Sequence, residues 1–271
     1  MENIKTPYKS VLTIAGSDSG GCAGIQADIK SISACGAFAA SVITASTAQN
    51  TKGVFDIHPM PIFHIKKQLD AVFSDINFDA IKIGMLHSCE VIEIVGMKLA
   101  EYNAKNVVLD PVMIATSGDK LITDQAIDCL KKLLPKALLI TPNSKEAETL
   151  IGYVIHKNNV KAAAKDIGLT FKTSVLLKGG HLEDTSDDMF DVLYNFSTDT
   201  LSVFKNPRIH TNNTHGTGCS LSSSIAAFLS KDDDLEYAVK QACEYINMAI
   251  ANGKNKILGK GNGPINHFGL K

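Results

Sequence analysis

The chain has 271 residues, 45% of them apolar, so it is long enough to enclose one large hydrophobic core or two small ones. Its 27 basic and 28 acidic side chains nearly cancel, which removes any global field toward nucleic acid or an anionic membrane. No apolar run reaches membrane-spanning length, residues 1–10 lack the apolar stretch of a signal peptide, and six scattered cysteines without C-x-x-C spacing suggest neither a zinc knuckle nor a redox pair. A cytoplasmic protein with reduced thiols is expected.

Strand-like and helix-like segments alternate. Residues 11–15 read as an apolar strand and 25–33 as a helix; 38–44 as a strand and 62–73 as a helix. Short apolar runs at 80–83, 107–109 and 137–140 suit a buried parallel sheet, with helical periodicity between them at 91–102 and 126–134. Residues 174–177 form a further strand, and 189–196 with 200–204 an antiparallel hairpin. A final helix over 235–251 has Asp232–Asp234 at its positive end and Asn252-Gly253 as its stop. Strand–helix units with short connections predict one α/β domain over 1–271, with residues 1–9 a flexible N-terminus. Its mostly parallel sheet carries helices on both faces and a small antiparallel edge.

In such sheets ligands gather beyond the carboxyl ends of the strands. The first strand is followed by a glycine-rich run, Gly16 to Asp28, that fits neither a Walker A loop nor a dinucleotide fingerprint. Thr47-Ala48-Gln49 offers an amide suited to the edge of a nitrogen heterocycle. Asp110 follows the 107–109 strand and could hold magnesium. Asn143 and Glu146, after Thr141, could be a helix cap or a hydrated magnesium site beside phosphates. Lys178, Gly179, Gly180 and His181 suit a phosphate. Asn213-Thr214-His215-Gly216-Thr217-Gly218-Cys219 runs into a segment with Leu221, Ile225, Phe228 and Leu229 at helical spacing. Its unpaired amides form an anion cradle, and the same field would favour a Cys219 thiolate.

These motifs carry a resemblance. L-T-I-A-G-S-D-S-G-G-x-A-G-I-Q-A-D, A-Q-N-T, K-I-G-M-L, V-V-L-D-P-V-M, L-I-T-P-N-x-x-E-A, L-K-G-G-H, N-T-H-G-T-G-C and G-x-G-P-I-N-H-F resemble, in order and from about residue 11 to 268, the hydroxymethylpyrimidine/phosphomethylpyrimidine kinases of thiamine biosynthesis, which have a ribokinase-like fold. The resemblance implies that Gln49 reads the pyrimidine edge, with Gly16, Asp28, Met85 and Val112 shaping the pocket. It implies that Asn143, Glu146 and Asp110 position the magnesium of Mg-ATP, directly or through water, with Thr141 and Lys178 beside the nucleotide. Gly216, Thr217 and Gly218 would form the anion hole and Cys219 would face the substrate hydroxymethyl group. His215 receives no role. ATP, Mg2+, a small-molecule substrate and a homodimer are expected. The chain departs from the family pattern at Cys22, at Ser46-Thr47 and at Ser19. Three other readings are a vitamin B6 kinase, a hydrolase using Cys219 and His215 as a thiol dyad, and a silent ATP-binding protein.

Overall fold

The computed structural model describes residues 6–113, 122–179 and 188–269. Gly180 and His181 of the lysine–glycine cluster, and the first five residues of the expected flexible terminus, lie outside them. Nine strands form one sheet in the order β3-β2-β1-β4-β5-β6-β7-β8-β9. These are β1 (Ser10–Asp18), β2 (Phe38–Asn50), β3 (Gly53–Pro59), β4 (Ala80–Ile83), β5 (Val107–Leu109), β6 (Leu139–Ile140), β7 (Ser174–Lys178), β8 (Asp188–Asn195) and β9 (Thr200–Pro207). Pairings from β2 through β1 to β7 are parallel; β3, β8 and β9 are antiparallel.

Side chains alternate across the strands, and both faces are buried. Leu12 and Ile14 point into one core, against the helices α2 (Ile62–Phe73), α3 (Cys89–Glu101), α4 (Asp124–Leu133), α5 (Ser144–Ile151) and α6 (Val160–Phe171). Val11 points into the other, against α1 (Gly24–Ala34), α7 (Thr217–Leu229) and α8 (Leu235–Gly253). This doubly covered sheet explains the apolar run at residues 107–109 and the apolar residues on either side of Lys82 at 80–83.

Four expectations are corrected. The second strand does not end at residue 44 but continues to Asn50, because its far half pairs antiparallel with β3. Thr47 and Gln49 therefore stand on a strand rather than in a loop. The strand β3 and the helix α6 were not expected: β3 is half exposed and lacks apolar alternation, and α6 is rich in alanine. Cys89 and Cys129 form a disulfide across α3 and α4, 40 residues apart, contrary to the expectation of reduced thiols. Pairs that meet only through helix packing leave no spacing signature. Asn252 and Gly253 lie in the last turn of α8, not beyond it.

Candidate active site

β1 sits between β2 and β4, so the chain leaves it first to one side and then to the other. The crevice opens where this switch predicts, as a cavity of about 680 Å³ beyond the carboxyl ends of the strands. Gly216 to Cys219 form one wall of that cavity at the start of α7. Gly216 has φ of 82°, and a Cβ there would run into the Cys22 carbonyl oxygen. Only glycine lets the helix start lie this close to the β1–α1 loop. Asp18 shapes that loop by accepting from the amides of Gly20, Cys22 and Ala23 at 2.7–2.9 Å.

The closing segment holds the helix start in place. His215 N–H donates to Gly263 O at 3.0 Å, and the Asn213 amide donates to Gly253 O and Lys256 O. His267 accepts or donates at Nε2 with Ser220 Oγ, 3.1 Å away and buried. The terminal G-x-G-P-I-N-H-F motif thus braces the start of α7.

On one side of the cavity stand Gly16, Met85, Val112 and Gln49. Gln49 Oε1 accepts from Thr47 Oγ1 at 3.1 Å, and Gln49 Nε2 lies 3.2 Å from His215 Nε2. The amide nitrogen can only donate, so His215 accepts there in this arrangement. His215, left without a role by sequence, braces Gln49. It does not form the thiol dyad with Cys219.

On the other side, Lys178 Nζ is 3.0 Å from Asp110 Oδ1, which Thr141 Oγ1 also approaches at 3.0 Å. Burial opposes the charge on Lys178, but Asp110 and Glu146 outweigh it and raise its pKa. Asn143 and Glu146 form a complete capping box on α5: Glu146 N–H donates to Asn143 Oδ1, and Asn143 N–H to Glu146 Oε2. The capping reading therefore holds, yet both residues also line the cavity. Burial pushes the Glu146 carboxyl up to about 7, partly offset by Lys178 and reinforced by Asp110. A carboxyl raised in this way can ionise toward a cation.

Three expected roles change. Asp28 does not line the cavity: it is wholly buried, with Lys82 Nζ 2.8 Å from both its oxygens. Thr141 is likewise wholly buried and acts through Asp110. Cys219 is half-buried, and burial pushes its thiol up to about 11, against the expectation of a favoured thiolate. Lys82 and the Gly24 amide pull the other way, while Asp28 and Asp110 add to the rise. The expectation from the helix start left out the desolvation that is the largest cause here.

Sequence reasoning missed Asp18 and Lys82, both of which line the cavity. A lysine inside the four-residue buried strand β4 was the available signal. It also missed the face of α8 carrying Cys243, Ile246, Asn247 and Ile250, which helical spacing presents as ordinary core.

The sequence profile of phosphomethylpyrimidine kinase matches residues 18–266. The chain belongs to the phosphomethylpyrimidine kinase family. It is 45% identical to the hydroxymethylpyrimidine/phosphomethylpyrimidine kinase of Haemophilus influenzae over 99% of this chain and 98% of that protein. It is 47% identical to a thiamine biosynthesis bifunctional protein of Geobacter sulfurreducens, over 97% of this chain but only 53% of the relative, so it spans about half of that longer protein. A pyridoxal kinase from Staphylococcus aureus, solved with AMP-PCP and pyridoxal, superposes with a TM-score of 0.86 at 32% identity, covering 97% of this chain and 95% of that one. The chain is a ribokinase-like kinase, and among the described residues no helix is long and apolar enough to cross a membrane.

Proposed function

We propose that this kinase transfers the terminal phosphoryl group of ATP to the hydroxymethyl oxygen of 4-amino-5-hydroxymethyl-2-methylpyrimidine, and then a second one to the resulting monophosphate. The observation that carries this reading is the joining, in one cavity, of a heterocycle-reading amide, an anion cradle and a lysine–carboxylate cluster. Gln49 faces the pyrimidine, braced by Thr47 and His215. Phosphoryl transfer needs mainly positioning and charge neutralisation. The amides of Gly216, Gly218 and Cys219 and the Lys178 ammonium offer both at one end of the cavity, while the Thr217 amide, expected in the cradle, is taken by the Thr214 carbonyl oxygen at 3.2 Å.

Asp110 and Glu146, with Asn143, would hold the magnesium ion that accompanies ATP. The donor set fits: hard oxygen ligands, two carboxylates rather than a full cage, leaving positions for phosphate oxygens and water. Such an ion would supply neutralisation of phosphate charge. Cys219 takes the hydroxyl proton as the new O–P bond forms and ADP leaves, so its thiolate is the form that works. Removal of a general base costs about 10²–10⁴-fold in turnover. Cys219→Ala should lose that much kcat with an unchanged thermal midpoint; wild-type turnover in this variant would overturn the assignment.

A vitamin B6 kinase is the second reading, favoured by the superposition on the pyridoxal kinase. Magnesium- and ATP-dependent turnover of the pyrimidine, its monophosphate and pyridoxal, assayed side by side, separates the two. Stepwise conversion to mono- and diphosphate is expected; consumption of pyridoxal alone would refute the pyrimidine assignment.

A further inference from the structure

Two helices meet beside the cavity in matching register. On α1, Gly24 and Asp28 are four residues apart and share a face; on α7, Cys219 and Ser223 do the same. Gly24 and Cys219 both line the cavity, and one turn further along the two helices Ser223 Oγ donates to Asp28 Oδ1 at 2.7 Å. Lys82 of β4 meets that Asp28 carboxylate from the sheet, with its ammonium 2.8 Å from each oxygen. Thr13 Oγ1 completes the set, donating to Asp28 Oδ2 at 2.6 Å. Lys82 and Asp28 are both 0% exposed.

A fully buried ion pair contributes little net stability against well-packed apolar residues, because desolvation consumes the attraction. This one is held by three elements besides β4, and Lys82 still borders the cavity. Its carboxylate is saturated by Lys82, Ser223 and Thr13, so the ammonium cannot swing away. We propose that Lys82, locked in place by Asp28, is a positioning residue that keeps a positive charge behind Cys219 and thereby favours the thiolate that removes the substrate hydroxyl proton. The proposal deepens the reading of Cys219 as the base and rests on it for its catalytic consequence.

The charged groups facing the thiol are Lys82, Asp28, Asp110 and Lys178. Lys82 is the largest influence opposing the burial that raises the thiol, ahead of the opposing push of Asp28. Burial also opposes the charge on Lys82 itself, but Asp28, Cys219 and Asp110 outweigh it and raise its pKa, so the ammonium persists. The proton accounting is simple: the hydroxyl proton passes to the Cys219 sulfur, and the thiol returns it to solvent after product leaves.

The test follows the rate of iodoacetamide alkylation at Cys219 against pH, read by peptide mass spectrometry on the whole protein. Lys82→Met should move the alkylation midpoint upward by about one pH unit or more, equivalent to about a tenfold slower reaction below it. Lys82→Arg should stay near wild type. Should Lys82→Met fail to fold, the double variant Lys82→Met with Asp28→Asn removes both charges and should shift in the same direction by less. The acid limb of kcat/KM for the pyrimidine should move with the alkylation midpoint, while KM for ATP stays put. A folded Lys82→Met or double variant with the wild-type midpoint overturns the proposal. Full turnover in Cys219→Ala alongside a shifted midpoint would instead sink the base assignment and leave the field of Lys82 established.

Discussion

At the residue scale, the orientation of one amide sets what the pyrimidine side of the cavity presents. Gln49 is held through its oxygen by Thr47 and through its nitrogen by His215, leaving the second lone pair and second N–H for a ligand. Losing the His215 brace removes one hydrogen bond, a loss of about 1 kcal/mol. His215→Ala is therefore expected to raise KM for the pyrimidine by about fivefold to tenfold, with KM for ATP unchanged, in steady-state assays of both substrates. An equal rise in both constants would mean that His215 acts instead on the neighbouring glycine cradle. Residue type and order made Gln49, Lys178 and Gly216 to Cys219 legible from sequence. The partners of these residues were not: His215 and Gln49 are 166 positions apart and meet only through the fold.

At the scale of elements, the C-terminal segment and α7 form a unit. His267 is 5% exposed, beside Ser220, and Tyr245 OH donates to its carbonyl oxygen. Burial, with a smaller contribution from Lys30, pushes the His267 imidazole down to about 4 from 6.5. A base whose folded pKa is depressed favours the neutral form in the native state. Its contribution is complete above the unfolded pKa and is lost as pH falls from about 6.5 through 4, on the order of 3 kcal/mol in total. The difference in urea-unfolding free energy between wild type and His267→Gln should shrink steadily over that interval. A difference constant from pH 7.5 to 4 would show that His267 does not titrate through this window. The strand and helix order was largely readable because apolar periodicity is local. One exception has a clear physical cause: β3 gains its pairing from β2.

At the scale of the whole molecule, the two cores lie on opposite faces of one sheet, and the disulfide ties helices on the face away from α1, α7 and α8. Cross-linking residues 40 apart restricts the unfolded chain by about 4 kcal/mol in the loop-entropy picture. Dithiothreitol should therefore lower the thermal midpoint of the wild type and leave that of Cys129→Ser unchanged. The cavity does not contain this pair, so kcat should be the same in both redox states. A fall in kcat on reduction at temperatures well below unfolding would contradict this separation of stability from catalysis.

What the sequence alone determined was the class of fold, the strand ends that bear chemistry, and the phosphomethylpyrimidine kinase family, because each rests on neighbouring residues or on motifs in fixed order. Only the tertiary structure decided that Asp28 pairs with Lys82 away from the cavity lining, that His215 braces Gln49, and that burial raises the Cys219 thiol. Those outcomes depend on desolvation and on distances between segments remote in the chain. Neither quantity exists until the sheet has brought its strand ends together.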